Sequence, residues 1–273
     1  MTLKQKSAAA GLMGAAHAST HDGYDREASS KAAYEKMMAG QELGFEATDP
    51  EFARIFTRYI YGDIARQAKL APRWQHLVTI AVLATQQNAT LLGKNIRGAL
   101  HDGVSPIEIR ETVYQLAPYV GLGRAADVLS EMNAVFTSEG IRLPLPDDGS
   151  TGDADRFEKG LAFQVSTYGQ RIIEMRNAAP QEQKHLQDDL SAFCFGDIYT
   201  RKTLDLKPRE MITVAAIGTL GTGEPQFISH VRGLIAAGAS REEVIGVITV
   251  MSPYIGFPRT LNCLKNANTA IDL

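Results

Sequence analysis

The chain is 273 residues long and 44% hydrophobic, enough to bury a substantial core as one large domain or two small ones. Its formal net charge of −3, with no Lys/Arg cluster interleaved with aromatic residues, speaks against nucleic acid as a partner. Two distant cysteines, Cys194 and Cys263, exclude a disulfide framework and a zinc site and are read as core residues; the six histidines are scattered without ligand spacing, so neither a metal nor another cofactor is expected.

Residues 1–30 are read as a disordered tail or a weak export signal. The stretch "MTLKQKSAAAGLMGAAHAST" has two lysines, small residues and an Ala16-His17-Ala18 that resembles a cleavage site, but it is poor in Leu, Ile, Val and Phe. A cytoplasmic location is expected, with export to the periplasm as the alternative. Because no run of 18 apolar residues occurs, no membrane span is expected either.

Residues 31–142 read as a first helical repeat. In "EFARIFTRYIYGDI" the apolar residues recur at spacings of three and four, the mark of one buried helical face. In "NIRGALHDGVSPIEIRETVYQL" a helix stops at Gly103, and the next starts with Ser105 as cap, Pro106 in the first turn and Glu108 closing a capping box. Residues 143–156, "LPLPDDGSTGDADR", form an exposed connector.

Residues 157–273 repeat the unit. Gly62-Asp63-Ile64 returns as Gly196-Asp197-Ile198, 134 places later (196 − 62), and Arg97-Gly98 returns as Arg232-Gly233, 135 places later (232 − 97). "LAPYVGLGRAADVL" (116–129) likewise returns as "MSPYIGFPRTLNCL" (251–264), and a segment retained in both copies points to packing for Tyr119 and Tyr254. Of that segment, only Arg259 is expected to reach a ligand.

The copies differ at two polar positions. Glu210 shares a helical stripe with Thr213, Val214 and Ile217, where the first copy has His76 (210 − 76 = 134). His230 shares a stripe with Phe227, Val231 and Leu234, where the first copy has Asn95 (230 − 95 = 135). A histidine on such a face also serves as an ordinary packing residue, and Arg232 has Arg97 as a twin, so a purely structural reading stands beside the chemical one.

"LDLKPREMITVAAI" and "EPQFISHVRGLIAAGASREEVIGVITVMSPYIGFPRTLNCL" resemble the carboxymuconolactone decarboxylase family, and the first copy resembles a more divergent member. The resemblance implies an all-α fold of two tandem helical repeats, related to alkylhydroperoxidase D. It also implies ring-shaped oligomers, here a homo-oligomer of three tandem chains. Similar proteins use a Glu and a His at these two places for proton transfer, which makes Glu210 and His230 the catalytic candidates. Carboxyl and imidazole groups ordinarily titrate near 4.3 and 6.5, close enough that burial and mutual contact can bring them to a common working range.

Arg232, Arg259, His76 and Asn95 are the candidates for binding a small carboxylated substrate. The dithiol branch is excluded by residue type: its Cys-x-x-Cys stands seven and four residues before the histidine, where this chain has Gly223 and Gln226, and Asn88 and Leu91 in the first copy. The expectation is a cofactor-independent lyase acting on a lactone-like or cyclic acid. A hydratase, isomerase or cyclase using the same pair, and a non-catalytic ring-forming or binding protein, are the alternatives.

Overall fold

The computed structural model describes residues 23–271, so the readings of a tail or export signal over residues 1–22 lie outside the described residues. Helix α1 (Arg26–Met38) nevertheless begins inside the stretch assigned to the tail. It is held there by Asp25, whose carboxylate accepts from the backbone N–H groups of Glu27 and Ala28 at 3.0 Å each. In the first repeat a continuous helical rod follows, made of α2 (Pro50–Thr57), a π-helical stretch (Arg58–Ile64) and α3 (Ala65–Gln67). Then come α4 (Pro72–Thr85), α5 (Ala89–His101), α6 (Pro106–Val120) and α7 (Leu122–Ser138).

The chain runs without helix from 139 to 155 and then repeats itself. The second repeat consists of α8 (Arg156–Tyr168), α9 (Arg171–Ala178), α10 (Lys184–Asp189) leading into a second π-helical stretch (Leu190–Tyr199), α11 (Leu206–Leu220), α12 (Glu224–Ala236) and α13 (Arg241–Ile271). No strand occurs among the described residues, and the fold is all-α in two tandem repeats, as expected.

The duplication reaches one helix further toward the N-terminus of each copy than residue matching indicates. Arg26 on α1 pairs with Asp63 at 2.6 Å, and Arg156 on α8 pairs in the same way with Asp197. Helices α1 and α8 therefore lie on the two π-helical stretches in equivalent ways, with Met38 and Tyr168 as their last residues.

Helices α4 and α11 are apolar on nearly every side and buried along most of their length, and they pack on each other at the centre of the molecule. The C-terminal helices cross over: α6 of the first repeat packs on α11 and the second π-helical stretch, and α13 packs on α4 and the first. Each repeat's site region is thus walled by a helix of the other.

The capping boxes form as expected in both copies, with Ser105 and Glu108 in one and Ser240 and Glu243 in the other. "PYxG" is a helix break. The backbone turns at Gly121 (φ 88°, ψ 151°), which separates α6 from α7, and at Gly256 (φ 75°, ψ 160°), which divides α13. Glycine stands at 256 for its positive φ and not for close backbone approach, since a Cβ there would meet little but Pro258. Helix α13 is long and apolar enough to cross a membrane by length and composition, but half of its most apolar window is buried against its neighbours, as in a core helix.

Candidate active site

The structure brings Glu210 and His230 together. Glu210 is fully buried near the start of α11, and His230 lies on α12 with 9% exposure. His230 Nδ1 is 2.9 Å from Glu210 Oε2. Glycine is required beside them: a Cβ on Gly233 would stand 2.9 Å from Glu210 Oε2 and 3.1 Å from the Tyr168 ring.

The carboxylate collects three donors. With Nδ1–H donating, Tyr168 adds its hydroxyl to Oε1 at 2.6 Å and Tyr199 adds another at 3.0 Å. Burial, followed by the charge of Glu210, holds the Tyr168 and Tyr199 phenols far above their usual range, so both remain protonated donors. Tyr119 comes from α6 of the first repeat. Its hydroxyl is 3.0 Å from that of Tyr199, and burial, with Cys194 and Glu210 nearby, raises it as well. Cys194 is 3.8 Å from the Tyr119 hydroxyl, and burial pushes its thiol up to about 12, which leaves it an unreactive core thiol.

The imidazole is clamped edge-on between the Tyr119 and Tyr168 rings, with centroids 5.5 and 5.6 Å away and both interplanar angles 83°. With Nδ1 fixed on Glu210, the second nitrogen is the one left for any other partner. Nε2 makes no hydrogen bond among the described residues and is not one of the sealed, unpartnered polar atoms, so it keeps some exposure.

The other expected site residues lie elsewhere in the fold. Arg232 is exposed and, two residues beyond His230, points about 200° around the helix from it. Arg259 donates to the Thr219 carbonyl at 3.0 Å, satisfying the end of α11, and lines a small cavity of about 30 Å³ whose walls include neither Glu210 nor His230. His76 is buried but turns to Asp102 at 3.1 Å instead of toward Asn95. Burial lowers its pKa, against the opposing pull of Asp102. Asn95 spends its amide on the Leu91 carbonyl at 2.8 Å. Where the second repeat has Tyr168 and Tyr199, the first has Met38 and Ala65, so neither phenol has a counterpart and an apolar cluster of Met38, Ile60 and Tyr61 lies on that side of His76 and Asn95.

Sequence reasoning missed Tyr168, Tyr199 and Gly233, and it assigned Tyr119 to packing alone. The offset of 134 that pairs Tyr199 with Ala65 (199 − 65) contained a usable signal. Tyr168 pairs with Met38 at an offset of 130 (168 − 38), outside the stretch where the copies align by residue type.

Comparison with known proteins agrees with this architecture. The model of the carboxymuconolactone decarboxylase family matches twice, over residues 50–134 and 184–268. An uncharacterised 15.0 kDa protein of Paracoccus denitrificans is 35% identical over 82 residues, which is 30% of this chain and 61% of that protein, so the chain spans about three fifths of its length. A 4-carboxymuconolactone decarboxylase of Acinetobacter baylyi is 27% identical over 110 residues, 39% of this chain and 79% of the enzyme.

A solved structure from Burkholderia xenovorans LB400, provisionally described as a gamma-carboxymuconolactone decarboxylase subunit, shares the fold. Its TM-score is 0.53 at 18% identity, covering 91% of this chain and 98% of that one. The double match and the shared fold place the chain in the carboxymuconolactone decarboxylase family, as a member carrying two copies of the family unit.

Proposed function

We propose that this chain is a cofactor-independent lyase that decarboxylates a small lactone-like or cyclic acid, with His230 as the proton donor and Glu210 as the group that orients and charges it. The observation that carries the reading is the buried Glu210 to His230 contact through Nδ1, which leaves Nε2 without a hydrogen-bond partner among the described residues. In the step proposed, the bond from substrate carbon to its carboxylate breaks and CO2 leaves. The electron pair stays on carbon, and the proton on Nε2 of the imidazolium forms the new C–H bond. Neutral imidazole remains and is recharged from solvent. General acid catalysis of this kind contributes about 10²–10⁴-fold.

The test is CO2 release from a panel of carboxylated lactones. Glu210→Gln and His230→Ala should each abolish it with folding intact, and the double variant should be little worse, because groups acting as a unit are non-additive. Turnover that survives both single changes refutes the assignment.

One observation favours the non-catalytic reading: the larger surface cavities, of about 470, 350 and 360 Å³, are lined by the first repeat and the connector, with neither Glu210 nor His230 on their walls. Under that reading no acid on the panel would shift the His230 resonances.

Assembly into a ring of three chains belongs to the same proposal. Its support is a pair of exposed apolar positions repeated in both copies, Phe52 and Leu186 (58% and 59% exposed) and Leu122 and Phe257 (66% and 63%). Sedimentation at micromolar concentration distinguishes a trimer from a monomer.

A further inference from the structure

Gln115 and Tyr119 stand one turn apart on α6 of the first repeat, and both face the second. Gln115 is fully buried, and each end of its amide has a partner: Oε1 at 3.0 Å from Arg209 Nη1, and Nε2 at 3.1 Å from Thr213 Oγ1. A buried amide is costly unless both ends are matched. Val250 occupies the corresponding place in the other copy (250 − 115 = 135), so helix packing alone does not call for an amide there.

The donor inventory gives these bonds one direction. A guanidinium only donates, so Gln115 must turn its oxygen to Arg209 and its N–H to Thr213. The Thr213 proton is then left for the Tyr199 oxygen, 3.0 Å away, and the Tyr199 proton goes to Glu210 Oε1, also at 3.0 Å. Tyr119 donates to the same Tyr199 oxygen. Every proton from Arg209 through Gln115, Thr213 and Tyr199 thus points toward the Glu210 carboxylate, and bonds in such a chain polarise one another.

We propose that Gln115 and Tyr119 of the first repeat are positioning residues for the Glu210 and His230 pair, acting by locking the Tyr199 hydroxyl onto the carboxylate. The inference rests on the proposed role of that pair. The first repeat, whose own counterpart places lack the carboxylate and both phenols, serves as half of its neighbour's site.

Breaking the chain at any of these links lets the Tyr199 hydroxyl turn from the carboxylate to whichever neighbour remains, Thr213 or Tyr119. Glu210 then loses a donor, and its undiluted charge holds the His230 imidazolium more strongly. The other titratable or charged groups around the pair are Tyr168 from α8, Cys194 from the second π-helical stretch and Arg209 from α11, with Glu111 and Arg201 behind Arg209.

The test is an NMR titration of the His230 imidazole in the full chain without substrate, assigned by its loss in His230→Gln and run beside thermal melting. Tyr119→Phe and Gln115→Met should each raise the midpoint by roughly half a pH unit, a fraction of the roughly one to two units that a hydrogen bond to a charged group represents, because the loss reaches the imidazole only through Glu210. Tyr254→Phe, the pseudo-symmetric change, should leave it where it is. Thr213→Val cuts the same chain should Gln115→Met fail to fold.

Where an acid from the panel is turned over, the alkaline limb of kcat, set by loss of the imidazolium, should move with the midpoint while KM holds. Folded variants with an unmoved or lowered midpoint overturn the inference. A raised midpoint in a protein that decarboxylates nothing upholds the positioning and sinks the proposed reaction.

Discussion

The Tyr168 hydroxyl lies 2.6 Å from Glu210 Oε1 and 3.0 Å from His230 Nδ1, so one phenol at the end of α8 touches both members of the pair. Tyr168→Phe removes a donor to a buried carboxylate while keeping the ring that packs on His230. Hydrogen bonds to charged groups contribute about 1.5–3 kcal/mol, so kcat should fall about 10–100-fold with little change in KM. Steady-state kinetics on any acid that the chain turns over checks this, and a KM effect without a kcat effect would make Tyr168 a substrate contact instead.

Gly233 and Gly98 occupy equivalent places on α12 and α5, yet they should respond differently to the same substitution. A Cβ at Gly233 meets the Glu210 carboxylate and the Tyr168 ring, both side chains able to shift. A Cβ at Gly98 runs into the backbone carbonyl of Met37, which cannot. Gly233→Ala should therefore lose turnover more than stability. Gly98→Ala should lose stability, by about 1–3 kcal/mol as for other overpacked cores, with activity following only the folded fraction. Urea melts paired with kinetics separate the two.

Much of this was legible in the sequence because it is local or repeated. The helical period of "EFARIFTRYIYGDI", the Ser-x-x-Glu boxes and the Glu210/His76 and His230/Asn95 differences all follow from residue type and fixed spacing. Tyr119 misled for the opposite reason. It is the same residue as Tyr254, but Tyr119 meets Tyr199 and Cys194 whereas Ala65 and Ile60 stand at those places opposite Tyr254, so an identical residue acquires a different role through its partners. Contacts across repeats, such as Arg209 to Gln115, span 94 residues and have no periodic trace.

Arg259 illustrates another limit, because an arginine beside an apolar stripe gives no sign of which carbonyl it will satisfy. Its bond to the Thr219 carbonyl gives Arg259→Ala a structural signature. Stability should fall by about 0.5–1.5 kcal/mol, the net value of one hydrogen bond, with KM nearly unchanged. A large rise in KM at constant stability would restore the ligand-binding role that the sequence suggested.

The two buried thiols predict how the fold responds to alkali. Burial pushes Cys194 up to about 12 and Cys263 up to about 11, whereas an exposed thiol titrates near 8.5. Above roughly pH 8.5 the unfolded chain releases protons that the folded chain retains, so unfolding becomes more favourable as pH rises toward the folded values. The stability associated with each thiol is therefore fully present below about 8.5 and should be about 1.4 kcal/mol smaller at pH 9.5, one unit higher. The phenols of Tyr119, Tyr168 and Tyr199 act with the same sign, but only from about pH 10 upward. Urea unfolding at pH 7.5, 8.5 and 9.5 isolates the thiols. The wild-type free energy should decline across the upper step, and the Cys194→Ala/Cys263→Ala double variant, whatever its stability at pH 7.5, should decline less. Parallel slopes for the two proteins would mean that these thiols ionise in the folded state as readily as in the unfolded chain.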